Sequence, residues 1–216
     1  MKIKKPVIVE ELDIIEDSQF IIDNIKSNGE DIENTHFKDL YITNEDISDI
    51  SIGSTIFENC KFMDCDFEKT NFVDVIFKSC DLSNSNFSNG YFNRCEFTSC
   101  KLIGANLYNS VFKEISMTNC NLQYANFDNA SLNKVFIEES DMSNANITES
   151  KLKDFQSNGA RFINTNFFKT SLKGIDFTRS EMAGIIVSNN YSELSGIIIN
   201  PIQAADLAKL LGAIIK

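Results

Sequence analysis

Cysteine and histidine are the residue types in this chain that could ligate a metal or act as nucleophiles. The chain of 216 residues contains six cysteines and one histidine, His36. A single histidine excludes most histidine-dependent schemes of acid–base or nucleophilic catalysis. No glycine-rich phosphate loop follows a predicted strand, and no Cys-x-x-Cys pair occurs. We therefore predict a protein that is not an enzyme and that has no catalytic residues, no cofactor and no metal site.

All six cysteines occupy the same position in a sequence period, two residues before a large apolar residue. They are Cys60, Cys65, Cys80, Cys95, Cys100 and Cys120. If one turn of the chain takes twenty residues, Cys60, Cys80, Cys100 and Cys120 stack at about 4.8 Å, the spacing of paired strands. That spacing is close to the range of a disulfide. However, Ala, Ser and Thr fill the same position elsewhere, which favours buried thiols that pack as small apolar groups.

The large apolar residues recur every five residues from Ile32 to Val187. Of these 32 positions, 31 are apolar, and Ser157 is the exception. A period of five fits neither the 3.6 of a helix nor the 2 of a half-buried strand, so the chain must turn a corner every five residues. The residue before each apolar centre is often Asp or Asn, which suits tight turns. Phe155 fills the small position beside Ser157, and we expect this exchange of volumes to keep the core filled.

The repeating unit reads small, Asp or Asn, Phe or Leu, polar, polar. It resembles the A(D/N)LXX motif of the pentapeptide-repeat family over about residues 31–189. The resemblance implies an all-β fold, a right-handed quadrilateral parallel β-helix, here of about eight coils. Acyltransferases with hexapeptide repeats also form β-helices, but they need a period of six and normally a catalytic histidine.

We expect three parts along the chain. Residues 1–30 form an N-terminal capping segment, residues 31–189 the pentapeptide-repeat β-helix, and residues 190–216 a C-terminal strand–helix–strand module. A solenoid exposes strand edges at both ends, and caps prevent end-to-end association. The outward pair Ile56 and Ile76 is the expected dock of the N-terminal segment, and a patch for a partner protein is the alternative.

The C-terminal module contains a predicted helix that begins after Asn200, with Pro201 at its first position, and ends at Gly212. The module has more apolar residues than a small cap needs, so we predict a two-fold homodimer. The predicted dimer-interface residues are Ile197, Ile199, Leu207, Leu210, Leu211, Ile214 and Ile215.

The net charge of −11 is distributed unevenly over the four predicted sides. One side carries seven acids against Lys69 and Lys169, a net of −5. Its acids are Glu45, Asp46, Asp49, Asp66, Glu68, Asp128 and Glu149. The next side has a net charge of +3, from three acids and six bases, Arg94, Lys113, Lys134, Lys151, Lys153 and Lys173. An acidic rod attracts proteins with basic DNA-binding channels and repels DNA itself. The alternative is that these charges only fill the outward positions of an acidic solenoid. The asparagines on the acidic side are expected to form a side-chain ladder.

Within the pentapeptide-repeat family, the chain is similar to the quinolone-resistance (Qnr-type) group. The similarity lies in the total length, the nearly continuous repeat and the closing segment, which runs from Gly196 to Ile215. It implies a homodimer that binds DNA gyrase and/or topoisomerase IV as a DNA mimic and protects them from quinolones. The unbroken register indicates the loopless chromosomal kind of Gram-positive bacteria. The acidic side is then the expected contact, and the alternative is a scaffold for an unrelated protein partner.

The location follows from what the sequence lacks. No apolar run is long enough to span a bilayer, and residues 1–11 have neither the apolar core nor the cleavage site of a signal peptide. We therefore expect a cytoplasmic protein that binds neither membranes nor nucleic acid directly.

Overall fold

In the computed structural model, which describes residues 2–17, 31–210 and 212–215, the chain turns a corner every five residues. From Asn34 to Gly174, every fifth residue has a positive φ, between 45° and 77°. Asn, Asp and Gly adopt this left-handed conformation with the least strain. The corner therefore lies two residues after each apolar centre. The Asp or Asn before the centre bonds to the backbone two residues later, as in Asp66 Oδ1 with Glu68 N, which agrees with its expected place in a tight turn.

The strands stack as a parallel solenoid. In the described residues they are β1 (Asp13–Ile15), β2 (Ile32–Glu33), β3 (Thr35–Lys38), β4 (Tyr41–Thr43), β5 (Ser51–Glu58), β6 (Lys61–Met63), β7 (Asn71–Lys78), β8 (Tyr91–Thr98), β9 (Val111–Thr118), β10 (Ser131–Glu138) and β11 (Lys151–Asn158). The main sheet has the order β1-β3-β5-β7-β8-β9-β10-β11, β2 also pairs with β5, and β4 pairs with β6. Paired residues are twenty apart, as in Phe72 with Phe92 and Phe92 with Phe112. Four units make one turn, which confirms the predicted parallel β-helix.

Strand pairing extends over about seven turns, from β2 and β3 up to β11, whereas we expected about eight. The eighth level, residues 171–178, forms turns in place of a strand. Phe155 occupies the position that Val135 holds one turn below, and Ser157 the position of Ile137. A large ring in the narrow position pushes the next turn outward, and serine supplies no apolar group to hold it. The exchange of volumes therefore does not keep the wall closed, contrary to our expectation.

Phenylalanine rings from successive turns stack in the core. The ring centroid of Phe92 lies 4.7 Å from that of Phe72 and 4.8 Å from that of Phe112, with interplanar angles of 10° and 6°. All three rings are buried. The small inward positions satisfy their own polar groups, as when Ser110 Oγ donates to the carbonyl of Phe87 at 2.8 Å. Large rings and small hydroxyls thus fill the interior without unpaired donors at these positions.

All six cysteines are buried and free, as expected from their position in the repeat. Their thiols lie against carbonyl oxygens of the turn below, with Cys60 Sγ 3.5 Å from Phe37 O and Cys100 Sγ 3.3 Å from Phe77 O. Burial raises the pKa of Cys95 to about 12. The Cys95 thiol therefore stays protonated at neutral pH. All six cysteines pack as small buried side chains.

Strand β1 covers the N-terminal edge of the solenoid. It pairs in parallel with β3, in register from Asp13 with Thr35 to Ile15 with Phe37. The rest of the predicted capping segment, from residue 18 to residue 30, lies outside the described residues. In the described part of this segment, residues 13–15 pair with the first turn of the solenoid.

Residues 2–12, which we call the N-terminal arm, run lengthwise along one corner of the solenoid. Three backbone N–H groups of the arm donate to side chains on one corner column. The bonds run from Val9 N to Ser54 Oγ (3.2 Å), from Val7 N to Asp74 Oδ1 one turn above (2.9 Å) and from Lys4 N to Glu114 Oε2 two turns higher (3.1 Å). Ser54 and Asp74 lie two residues before Ile56 and Ile76, the outward pair that we expected to be the dock of the N-terminal segment. The arm thus crosses several turns instead of covering only the end.

The C-terminal segment caps the last turn with backbone hydrogen bonds. These bonds are Leu172 N to Glu193 O (3.0 Å), Gly174 N to Gly196 O (2.8 Å) and Phe177 N to Ile198 O (2.9 Å). The side chain of Glu193 is buried, and it accepts bonds from Lys169 N and from Ser188. The two strands that we expected around the helix do not form in the described residues. Instead, Ile198 makes an isolated bridge with Asp176.

The predicted helix is confirmed as α1 (Pro201–Leu210). Asn200 Oδ1 accepts from Ile202 N and Gln203 N at 3.0 Å, and Gln203 Oε1 accepts from Asn200 N at 2.8 Å, which is a reciprocal capping box. Gly212, with φ of 78°, closes the helix. The buried amide of Gln203 also donates to the carbonyls of Phe177 and Ser180, which fixes α1 on the end of the solenoid.

Candidate functional site

Five of the seven acids predicted for one side lie on two adjacent turns, and we call them the acidic cluster. They are Glu45, Asp46, Asp49, Asp66 and Glu68. Backbone bonds join the two turns, from Asp66 N to Glu45 O at 2.8 Å and from Asp49 N to Glu68 O at 2.9 Å. All five side chains are exposed or half-buried. The solenoid therefore gathers five carboxylates on one patch of its surface.

Local hydrogen bonds orient two carboxylates of the cluster. Asp46 Oδ1 accepts from Ser48 N at 3.0 Å, and Asp66 Oδ1 accepts from Glu68 N at 2.9 Å. Each bond closes a turn between an acid and the backbone two residues later. These side chains are thus held in position before any partner arrives.

An asparagine ladder continues this column on the higher turns, as predicted. Its side-chain bonds are Asn86 Nδ2 to Asp66 Oδ1 (2.9 Å), Asn106 Nδ2 to Asn86 Oδ1 (3.0 Å), Asn126 Nδ2 to Asn106 Oδ1 (3.2 Å) and Asn166 Nδ2 to Asn146 Oδ1 (3.3 Å). Asp and Asn therefore adopt the same geometry at this position of the repeat. The fold itself does not require a charge at Asp46 or Asp66.

The acidic cluster has one lysine, Lys69, beside its five acids. Lys69 Nζ lies 3.8 Å from Glu68 Oε1, and both side chains are substantially exposed, so water screens the pair. Asp49 is an exposed corner residue with φ of 57°. Five acids and one lysine leave a local charge of −4 on two turns, which attracts basic surfaces.

The other two acids of the predicted side stand apart from the cluster. Asp128 Oδ1 accepts from Thr148 N at 2.9 Å, and Glu149 Oε1 lies 2.6 Å from Lys169 Nζ. Both acids are at least three turns above Asp66, since each turn takes twenty residues. The side is therefore not a continuous acidic face, and its charge is concentrated near the N-terminal end.

On the basic side, the carboxylates pair with some of the cations. Asp74 binds Arg94, and Glu114 Oε1 lies 2.7 Å from Lys134 Nζ. The hydrogen bond from Lys134 lowers the pKa of Glu114, against the opposing effect of burial. The other four bases of this side are exposed: Lys113, Lys151, Lys153 and Lys173.

The residues predicted for the dimer interface divide into two groups. Those that pack half-buried against the solenoid core are Ile197, Ile199, Leu207 and Leu210. Ile214 and Ile215 are 87% and 49% exposed, and Leu211 lies outside the described residues. The sequence analysis missed Ile198 and Ile202, which are 47% and 77% exposed. Four isoleucines thus leave apolar surface open at this end.

Histidine, cysteine and acidic side chains are the groups that could act in catalysis or bind a metal. His36 Nε2 lies 3.1 Å from Glu58 Oε2, and Glu58 also binds Lys78, whose hydrogen bond lowers the pKa of Glu58. Among the described residues, no three His, Cys, Asp or Glu side chains are grouped so as to hold a metal ion. His36 therefore belongs to a hydrogen-bonded group with Glu58 and Lys78.

No helix in residues 2–17, 31–210 and 212–215 has the length and apolar character needed to cross a bilayer.

The sequence analysis also missed the acceptors of the N-terminal arm, Ser54, Asp74 and Glu114. The available signal was their spacing, since all three fall on the same corner at multiples of twenty residues. Polar acceptors on one corner can bind the N–H groups of an extended chain that runs along the axis.

Two family models match the middle of the chain. The family model for pentapeptide repeat regions matches residues 90–156, and the model for eight copies of the pentapeptide repeat matches residues 60–98. No curated protein sequence matches the chain. Among solved structures, full-length QnrB1, a plasmid-mediated fluoroquinolone resistance protein, is 25% identical, with 86% of this chain and 96% of that chain covered and a TM-score of 0.48.

Two further solved structures give similar results. A trypsin-treated form of QnrB1 is 27% identical over 86% of this chain and 94% of that chain, with a TM-score of 0.47. HetL, a pentapeptide-repeat protein involved in the regulation of heterocyst differentiation in the cyanobacterium Nostoc sp. strain PCC 7120, is 15% identical over 80% of this chain and 92% of that chain, with a TM-score of 0.32. Over residues 60–156, which the two family models match, the chain is similar to pentapeptide-repeat proteins.

Proposed function

We propose that this protein binds type II topoisomerases, DNA gyrase and/or topoisomerase IV, as a DNA mimic and protects them from quinolones. The observation that carries the proposal is the acidic cluster, five carboxylates on two adjacent turns of a rod. The similarity of residues 196–215 to the closing segment of the quinolone-resistance group supports it. Such a protein acts in the cytoplasm, where these enzymes work.

Electrostatics gives the proposal its physical basis. A topoisomerase holds DNA in a channel lined with basic side chains, and a dense patch of carboxylates is attracted to such a channel as phosphates are. The same patch repels DNA, so direct binding of nucleic acid is not part of the proposal. Because Asp46 and Asp66 are held by local bonds, little side-chain entropy is lost when they dock.

The proposal includes a two-fold homodimer formed by the C-terminal end. Ile198, Ile202, Ile214 and Ile215 expose apolar surface there, and burial of such surface favours association. The half-buried residues Leu207 and Leu210 would instead hold α1 against the solenoid. The dimer contact that we propose therefore differs in part from the one that we predicted from the sequence.

The continuous register limits which surfaces could act in protection. Strands β5 to β11 pair at intervals of twenty residues with no inserted loop. The acidic cluster, the N-terminal arm and the dimer groove are therefore the surfaces available for contact with the enzyme.

The test is DNA supercoiling by purified gyrase with and without ciprofloxacin, as this protein is titrated in. Restored supercoiling in the presence of the drug is the expected result. Inhibition in both arms would support DNA mimicry without protection, and no effect in either arm would overturn the proposal.

A second candidate function is a scaffold for an unrelated protein partner. The four exposed lysines of the basic side, Lys113, Lys151, Lys153 and Lys173, favour it. A pull-down with purified gyrase separates the two functions, because the scaffold requires no contact with a topoisomerase.

A further inference from the structure

One edge of the main sheet is open at β11. On one side β11 pairs with β10 over its full length, and β11 is the last strand of the sheet in the part of the chain that the structure describes. Bonds between adjacent turns are present just outside the strand, from Ser150 N to Thr170 Oγ1 at 2.9 Å and from Gly159 N to Arg179 O at 3.0 Å. Between these two points, residues 171–178 form turns and do not extend the sheet.

A cleft of about 530 Å³ separates β11 from the turn above it. Leu152 and Phe155 contribute apolar walls on the β11 side, and residues 173–176 with Thr178 line the opposite side. We call this space the β11 cleft. Residues 171–178, which form the turn above the cleft, are held in place by backbone hydrogen bonds to residues 193–198 on the side away from β11. The cleft is thus bounded by two supported walls.

The sequence explains why the opening occurs here. On the turns below, Val75, Ile115 and Val135 occupy the position of Phe155, and all are fully buried. Leu152 is only half-buried, whereas the apolar centres below it are fully buried. The change from Val and Ile to Phe and Ser on one turn coincides with the loss of strand pairing on the next.

Lys173 and Arg179 line the β11 cleft, and Lys151 and Lys153 lie on β11 itself. Lys151, Lys153, Lys173 and Arg179 are exposed, and none of them forms an ion pair with another described residue. Asp154 and Asp176 are the acids that line the cleft, so this group of six has a net charge of +2. Elsewhere on the solenoid most cations sit against a carboxylate of a neighbouring turn. The cleft thus combines an open strand edge with uncompensated positive charge.

We propose that the β11 cleft binds an extended acidic peptide of a partner protein, which adds as a strand to the free edge of β11. An edge strand presents alternating N–H and C=O groups, which another peptide backbone satisfies and a nucleic acid does not. The three lysines and Arg179 favour carboxylates on the added strand. Since β11 has eight residues, it can pair with a segment of up to eight residues. The proposal does not depend on binding of a topoisomerase.

The first experiment measures fluorescence anisotropy of a labelled octapeptide of alternating glutamate and valine, titrated with the whole protein. Saturable binding is expected. The same peptide with N-methyl groups on one edge keeps its charge but loses donors for strand pairing, and about tenfold weaker binding is expected. Equal binding of the methylated peptide would show charge attraction alone and would overturn strand addition, as would no binding of the parent peptide.

Two lysines at the same position of the repeat give a matched pair of variants. Lys153 lies on β11 between Leu152 and Asp154, which both line the cleft. Lys113 lies two turns below at the same position of the repeat, also exposed and without an ion pair to another described residue. Lys153→Glu should weaken binding of the acidic peptide about fivefold or more, and Lys113→Glu should have little effect. Equal losses in both variants would place the binding elsewhere and contradict the proposal.

A closing variant tests the role of the cleft with every cation retained. Phe155→Val with Ser157→Ile copies Val135 and Ile137 of β10. We expect residues 171–178 to pair with β11, so that their amides gain protection in hydrogen exchange, and peptide binding to be lost. A variant that gains this protection and still binds the peptide with unchanged affinity would refute the proposal. If the variant does not fold, the two lysine variants still decide the question.

Discussion

Arg94 clamps the carboxylate of Asp74 from one turn above, with Nε donating to Oδ1 and Nη2 to Oδ2, each at 2.6 Å. The same Oδ1 accepts Val7 N of the N-terminal arm at 2.9 Å. A bidentate pair of this kind fixes the carboxylate in one orientation. The ion pair between two turns therefore also positions the acceptor for the arm.

Replacement of Asp74 should loosen the N-terminal arm without disturbing the corner. Asparagine also tolerates the φ of 60° at this corner, so Asp74→Asn keeps the backbone conformation. The variant removes the negative charge of Asp74, which binds Arg94 and makes the hydrogen bond from Val7 N stronger. We expect the backbone amides of Val7 and Val9 to exchange hydrogen faster. If loss of the bond between Val7 N and Asp74 lowers the free energy of local opening by about 1.4 kcal/mol, the rate should rise about tenfold. Asp64→Asn is the control, since Asp64 is also a left-handed corner and has no bond to the arm. An unchanged exchange rate at Val7 in the Asp74 variant would show that the arm is held by other contacts.

Stability should fall at acid pH as the arm acceptors protonate. Partial burial acts to raise the pKa of Asp74, but the bonds from Arg94 and Val7 N hold it below its ordinary value of 3.8. The bond from Lys134 lowers the pKa of Glu114 below 4.5. A carboxylate with a lowered pKa in the folded state stabilises the protein above its unfolded pKa, and this contribution is lost as pH falls through the folded pKa.

The melting temperature should accordingly stay constant from about pH 7 to about pH 5 and decrease below about pH 4. Asp74→Asn should lower the melting temperature at neutral pH and make the decrease at acid pH shallower. An equally steep decrease in this variant would assign the acid sensitivity to other carboxylates.

The stacked rings should account for much of the core stability. Phe92→Ala removes a buried ring between Phe72 and Phe112 and leaves a cavity, so the free energy of unfolding should fall by about 3–5 kcal/mol. Urea denaturation followed by circular dichroism measures the change. Phe168→Ala is the control, because this ring is 37% exposed, and its loss should cost much less. Similar losses in both variants would contradict the described core.

Two variants at the C-terminal end should distinguish a role in dimerisation from a role in capping. Ile202 is 77% exposed on α1, so Ile202→Asp should give a monomer in light scattering with an almost unchanged melting temperature. Leu207 packs against the solenoid core, so Leu207→Asp should lower the melting temperature. A monomeric parent protein would contradict the proposed dimer and leave α1 as a cap only.

The sequence predicted the interior of the solenoid well, because the five-residue period directly records which side chains point inward. The core phenylalanines, the six buried cysteines and the helix after Asn200 all follow from that period and from local capping chemistry. The location of the corners was predicted less well. Asn and Asp occur both before the centre, where they bond to the backbone two residues later, and at the left-handed corner, so composition alone does not separate the two roles.

Features that depend on contacts between distant residues were not predictable. The arm bonds at Glu114 join residues 110 positions apart, and no local pattern specifies such a pairing. At Phe155 and Ser157 the total side-chain volume is nearly conserved, but its placement decides whether the next turn can pair. Twenty-residue spacing assigned seven acids to one side of the solenoid. It did not show that Asp128 and Glu149 lie at least three turns above the acidic cluster, so that the charge is not continuous along the side.

The acidic cluster is tested most directly by neutralising three of its carboxylates without altering the turns. Asp46 and Asp66 occupy positions where Asn86 and Asn106 stand on higher turns, and Asp49 is a corner equivalent to Asn89 and Asn109. The triple variant Asp46→Asn, Asp49→Asn, Asp66→Asn should therefore fold normally.

A second triple variant supplies the matched control. Asp39→Asn, Asp64→Asn and Asp154→Asn change the net charge equally, and all three are left-handed corners outside the cluster. The measurement is the binding of purified DNA gyrase to the immobilised parent protein and to each triple variant. We predict that the cluster variant loses binding while the control variant retains it. Unchanged binding by the cluster variant, or an equal loss in both, would contradict the acidic cluster as the contact for the enzyme.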